Sequence, residues 1–214
     1  MLASISCVLF DLGGVIVNWK DSWIIEETCV QFHLSKEIFS KEFNKNLPYL
    51  SAGKINEKEF WRRIDSKLDS TRLVKENKSI FGEIFLKLAS VNKEMLELSK
   101  ELAKKGITVG ILSNTEDATY SVVKKTLSIK HFKFKFLSYE IGYLKPGKKI
   151  FQHVIDNIPF KKSELFFIDD MKANVDSALS LGIDSVQFSN YENLLSELLK
   201  RGIIVKNRQG SDPL

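Results

Sequence analysis

Cysteine is scarce. The two in this chain, Cys7 and Cys29, fall in two different predicted elements. A disulfide scaffold is therefore not expected, and both read as buried thiols of a reducing compartment. Long hydrophobic runs are missing too: the longest, such as 165–168, fall far short of the ~20 residues that span a bilayer. No basic leader precedes the first apolar stretch, and that stretch ends in an acid, Asp11. Neither a signal peptide nor a membrane partner is expected, and the cytoplasm is the expected location. With 11 glycines and 4 prolines, nothing in the composition suggests collagen or disorder. Nor is charge of one sign concentrated. The net charge of +5 comes from lysines scattered over most predicted helices. One segment, His131-Phe132-Lys133-Phe134-Lys135-Phe136, alternates strictly. It fits an edge strand with Phe on one face and blocking Lys on the other better than a nucleic-acid platform.

What is present is an ordinary apolar share of 43%, with 28% charged residues, in 214 residues. That length supports one sizeable core and leaves room for a smaller unit. Short apolar runs at 6–10, 107–112, 134–137, 165–168 and 185–188 read as strands buried on both faces. From the second onward they alternate with helical patterns. One begins at Asn92 and closes at Gly106; another is capped by Thr115; a third follows Pro146. A fourth covers about 173–181, and a last runs from Asn190 to near Gly202. The pattern predicts an α/β fold, a doubly wound parallel sheet that binds ligands at the carboxyl ends of its strands. Residues 18–90 break the rhythm with helical patterns alone, clearest where Asn56 opens a helix carrying Phe60, Trp61 and Ile64. An insertion this long exceeds a loop. The expected organisation is a core of 1–17 plus 91–206, a helical domain of 18–90 and a frayed tail of 207–214. Trp23 and Trp61 suit packing in the insertion, whereas Trp19, near the first strand's end, is a cleft candidate. None of the three histidines has metal-site spacing.

Four short segments follow four strands. Asp11-Leu12-Gly13-Gly14-Val15 ends a buried strand in an acid and lets the backbone turn sharply. Ser113-Asn114 places small donors just before a helix N-terminus. Lys145-Pro146 offers a point charge for phosphate. Asp169-Asp170 ends an apolar strand in two carboxylates, which calls for a cation or hydrogen bonds; with Asp11 they suit magnesium. Asn174 lies one helical turn further on. Singly, all but the last have an ordinary structural reading as a turn, a helix cap or a solvated lysine.

Taken together and in this order, the four segments resemble the sequence motifs of the haloacid dehalogenase-like superfamily, in its phosphatase branch. The subgroup reading Asp-Leu-Gly-x-Val, which includes a glucose-1-phosphate phosphatase, looks similar, notably over 143–154. The resemblance implies a Rossmann-like core whose insertion is a cap over the site. It implies a magnesium-dependent phosphatase for small phosphate monoesters, including sugar phosphates, with a small phosphorylated metabolite as partner. Asp11 would attack phosphorus to form an aspartyl-phosphate. Ser113, Asn114 and Lys145 would hold the phosphoryl oxygens. Mg2+ would sit between Asp11, the carbonyl of Gly13 and Asp170, with Asp169 and Asn174 acting through waters. The sequence departs from the pattern at Gly13, where such phosphatases carry a second aspartate as general acid and base. That help is worth ~10²–10⁴-fold, so a slow enzyme, or one preferring anomeric or acyl phosphates, is expected. Two other readings stay open: a non-catalytic protein that binds a phosphorylated ligand, and a metal-independent haloacid dehalogenase. Specificity is expected to lie in a loop near 46–53.

Overall fold

The computed structural model describes residues 4–204; the expected tail of 207–214 lies outside them. The chain begins with β1 (Cys7–Phe10), then leaves the sheet through β2 (Val17–Asn18) and the helices α1 (Asp21–Phe32), α2 (Lys36–Ser51), α3 (Glu57–Asp65) and α4 (Ile80–Leu88). It returns through β3 (Ser90–Val91) and continues as α5 (Lys93–Lys104), β4 (Thr108–Ser113), α6 (Asp117–Thr126) and β5 (Phe134–Leu137). There follow α7 (Ser138–Ile141), α8 (Lys148–Asn157), β6 (Leu165–Asp169), α9 (Lys172–Ser180), β7 (Asp184–Gln187) and α10 (Tyr191–Lys200). The main sheet has the order β5-β4-β1-β6-β7 and is parallel throughout.

β1 lies at its centre because its side chains feed both faces. Val8 and Phe10 join one apolar cluster, and Cys7 and Leu9 join the other, the period-two division of a strand covered on both sides. β5 is an edge, with Phe136 buried and Lys135 exposed, so the alternating Phe/Lys segment guards a sheet margin. Among the described residues no helix is long and apolar enough to cross a membrane.

The four helices of the insertion enclose an aromatic core of their own. Phe39, Phe43, Phe60, Trp61 and Phe81 are buried together, and the ring centroids of Phe43 and Phe60 lie 5.4 Å apart, edge to face. Local chemistry sets the helix starts: Asn56 Oδ1 accepts from the Glu59 N–H at 2.9 Å, and Ser79 Oγ from the Gly82 N–H at 2.8 Å. Glu57 ties α3 to α4 by accepting from Trp61 Nε1 and from the Phe81 N–H, both at 3.0 Å.

Three local expectations are corrected. Most of 46–53 is the end of α2, not a loop, because Phe39, Phe43 and Leu50 keep one helix face buried past Pro48. Thr115 does not cap α6; its N–H donates to Ser138 Oγ at 3.0 Å, and Glu116 occupies the N-cap position. The insertion is not purely helical at its roots, where Val17 pairs with Val91 and Asn18 with Ser90 in an antiparallel ribbon. Two residues per strand leave no periodicity to detect.

Candidate active site

Register brings the four motifs to one sheet margin. Phe10 pairs with Ile111 on one side and Ile168 on the other, and the Asp11 N–H extends that ladder to the Ile168 carbonyl at 2.9 Å. Asp11 is thus the first residue beyond β1, beside the ends of β4 and β6, where Ser113 and Asp169 sit. Its Oδ1 accepts from the Leu12 N–H at 2.7 Å, and its Oδ2 stands 3.0 Å from Lys145 Nζ.

Lys145 is the hub. Its side chain is fully buried, and Nζ also donates to Asp169 Oδ2 at 2.6 Å and to the Leu112 carbonyl at 2.9 Å. Burying an ammonium is tolerable only with such compensation. Asn114 holds this residue from behind: its Oδ1 accepts from the Lys145 N–H and its Nδ2 donates to the Lys145 carbonyl, each at 2.9 Å. The structure therefore places the Asn114 amide on the backbone of Lys145, a positioning contact the sequence did not announce. The Lys145–Pro146 peptide is cis.

Asp169 is fully buried and saturated by neighbours: Lys145, the Met171 N–H at 2.8 Å, and Asn174 Nδ2 at 2.9 and 3.1 Å. Asp170 is partly exposed, and its carboxylate lies under Gly14. Gly14 has φ +77° and a Cβ there would come within 2.3 Å of Asp170 Oδ2, so only glycine fits this turn. Burial pushes the Asp11 carboxyl up to about 7; Lys145 opposes that rise, Asp169 adds to it, and a hydrogen bond from Ser113 lowers it. Burial, then the charge of Asp169, raises Asp170 as well.

Two observations bear on a metal. Asp11, Asp169 and Asp170 each offer an oxygen within 4.8 Å of the others. Against them stands one ammonium, leaving two uncompensated negative charges when all three ionise. In addition, Asn174 Oδ1 is buried without a partner, an acceptor suited to a water on a bound ion. Hard oxygen donors, that charge and that acceptor fit a divalent cation such as Mg2+.

Two hollows lie along the insertion, one of them at this corner. One, of about 570 Å³, reaches Asp170 and Gly14 and is walled by Trp19 and Trp23. Trp19 packs 4.9 Å from Phe85 and joins the core of the sheet to that of the insertion. The other, of about 470 Å³, lies between the insertion and the sheet, lined by Leu50, Gly53, Ile55, Glu57, Glu116 and Tyr139. Only Leu50 and Gly53 of the expected specificity segment reach it. Sequence reasoning missed Glu116, which burial and the nearby charges of Asp21 and Glu57 push up to about 8. It also missed Ser138, whose Oγ donates to the Ser51 carbonyl at 2.6 Å and so pins the insertion to the sheet. A lone acid or serine near a helix start carries no signal of its own. His131 serves structure, its ring 2.8 Å from Ser99 Oγ.

The chain matches the haloacid dehalogenase-like hydrolase family over residues 8–188, and it belongs to that family, with a Rossmann-like α/β core. A haloacid dehalogenase-family enzyme of Bacteroides thetaiotaomicron shares 26% identity and superposes with a TM-score of 0.76, covering 90% of this chain and 98% of the other. The same enzyme in complex with magnesium and inorganic phosphate superposes at 0.73, with 26% identity over 89% and 99%. A D-ribitol-5-phosphate phosphatase of Bacteroides thetaiotaomicron is 25% identical over 206 residues, 89% of this chain and 95% of that protein. The bifunctional epoxide hydrolase 2 of Rattus norvegicus is 26% identical over 209 residues, but the match covers only 38% of its length.

Proposed function

We propose that this protein is a magnesium-dependent phosphatase of small phosphate monoesters in which Asp11 is the nucleophile and residues 18–90 form a cap over the site. One observation carries the reading: Lys145, buried, bridges Asp11 and Asp169 at 3.0 and 2.6 Å while Asp170 offers a third oxygen to the same point. The magnesium and phosphate bound by the Bacteroides thetaiotaomicron enzyme support it.

Asp11, Asp170 and the Gly13 carbonyl would hold Mg2+, with Asp169 and Asn174 reaching it through water. When bound, the ion neutralises phosphoryl charge and keeps Asp11 ionised. Lys145 and Ser113 hold the phosphoryl oxygens; Lys145 also keeps Asp11 aimed, since Leu12 fixes the other carboxylate oxygen. Asn114 fixes the backbone from which Lys145 projects. The attack breaks the P–O bond to the leaving group and leaves an aspartyl-phosphate, which water then hydrolyses. The D-ribitol-5-phosphate phosphatase among its relatives supports a sugar or polyol phosphate as substrate.

The test is phosphate release from a panel of esters with Mg2+. Wild type should turn over and lose activity with EDTA, and Asp11→Asn should lose at least about 10⁴-fold. Gly13 favours a second reading, a phospho-ligand binder without turnover; stabilisation by phosphate esters with no release in the whole panel would select it.

A further inference from the structure

The hollow of about 570 Å³ has Asp170 and Gly14 in its lining, and the rest of that lining divides by chemistry. One part is aromatic. Trp19 and Trp23 meet edge to face, with ring centroids 5.7 Å apart and planes at 86°, so together they frame a right-angled apolar corner. Trp19 rests on Phe85, 4.9 Å away. Both indoles nevertheless stay half-buried, and the surface they keep lines the hollow. Trp19 also stands against the turn that carries Asp11: a Cβ at Gly13 would meet Trp19 Cδ1 at 3.7 Å. The apolar corner therefore begins at the charged site and not at a distance from it.

Another part of the lining is polar. Asn92 and Asn190 both belong to it. Each uses Oδ1 to cap its own helix, accepting from the Met95 N–H at 3.3 Å and from the Asn193 N–H at 2.8 Å. That use leaves the Nδ2 donors of both available. Glu94 and Glu192, exposed and in the same lining, add acceptors.

We propose that this hollow receives the leaving group, and that Trp19 and Trp23 select one built on a sugar ring over an open-chain polyol. The proposal rests on the phosphatase reading above and deepens it. A sugar ring carries C–H groups across its faces and hydroxyls around its rim. That division matches the hollow: a face packs on an indole while the rim meets amide donors and carboxylate acceptors. An open-chain polyol has no flat apolar face and must freeze several torsions to make the same contacts. A purely apolar ring fails on the other count. It would strip water from Asn92, Asn190, Glu94 and Glu192 and return no hydrogen bonds. The second hollow, lined by Glu57, Glu116 and Tyr139, has neither Asp170 nor Gly14 in its lining.

The experiment compares kcat/KM with Mg2+ for glucose 6-phosphate, glycerol 3-phosphate and cyclohexylmethyl phosphate. All three release a primary alkoxide, so only the skeleton differs. Wild type should favour glucose 6-phosphate over each of the others by about 10-fold or more. Trp19→Leu and Trp23→Leu should each lower kcat/KM on glucose 6-phosphate by about 10-fold or more, mainly through KM, and change glycerol 3-phosphate far less. Trp19→Phe should recover part of the loss. Inhibition by inorganic phosphate should stay as in wild type. Trp23 belongs to neither apolar core, so its variant guards the test against misfolding. Equal wild-type rates on glucose 6-phosphate and glycerol 3-phosphate would overturn the proposal. So would equal losses on both in the leucine variants, which would make the indoles merely structural. Cyclohexylmethyl phosphate matching glucose 6-phosphate would also overturn it, by leaving the polar lining without a role. If wild type releases phosphate from none of the esters, the phosphatase reading fails and this one with it; turnover without a ring preference sinks this one alone.

Discussion

At the carboxyl end of the sheet, Lys145 meets two carboxylates with no solvent on its side chain. Across the β2–β3 ribbon, the insertion packs Phe39, Phe43, Phe60, Trp61 and Phe81, and its buried ring edges meet carbon more than charge. The first region is organised by compensation: each charge is tolerable because another lies within hydrogen-bond reach. The second is organised by area, since each buried aromatic removes roughly 150–250 Å² from water and no single contact decides the arrangement. The difference teaches where each is fragile. The charged corner fails when one partner is deleted, and the insertion fails at the few points where it touches the sheet.

The strongest test of this contrast is Lys145→Met. It strands Asp11 and Asp169 as buried carboxylates and should destabilise the fold by about 3–5 kcal/mol, read as a shift in the urea midpoint. Lowering the pH should shrink that loss, because protonating the carboxyls removes the unpaired charge. Unchanged stability would mean the corner is not held by compensation.

A smaller effect is expected at the seam. Gly53 has φ +63°, and a Cβ there would come within 2.0 Å of the Tyr139 carbonyl. Gly53→Ala should cost about 1–3 kcal/mol, appearing as faster hydrogen exchange around 138–142, where the insertion is pinned, while the β1 amides keep their protection. Uniform loss of protection would show that insertion and sheet unfold as one unit.

The smallest effect is one of slope. Glu116 is pushed up to about 8 from an ordinary 4.5, so between those values the folded protein holds a proton that the unfolded chain has released. Stability must then fall as pH rises through that window. Glu116→Gln should flatten the decline: little difference from wild type near pH 5 and a higher melting temperature near pH 8. An unaltered slope would place the group in contact with solvent.

Much of the site was legible because its residues mark strand ends. Asp11, Ser113 and Asp169 each close an apolar run, and Lys145 and Asn174 stand at fixed short distances from helix starts. The second sphere was not legible. That Asn114 clamps the backbone of Lys145, 31 residues away, depends on β4 and the loop before α8 lying side by side. No spacing within either segment records this. The expectation of a loop at 46–53 failed because the apolar period of Phe39, Phe43 and Leu50 carries α2 through Pro48 to Ser51.

By itself the sequence determined the class of fold, through apolar runs alternating with helical periods, and the order in which four polar motifs follow those runs. Both are local properties, written in residues a few positions apart. Only the tertiary structure decided which of those polar groups meet and that Gly13 faces Trp19. Those depend on how strands register and how the insertion folds back, and long-range proximity leaves no trace in the spacing of a single chain.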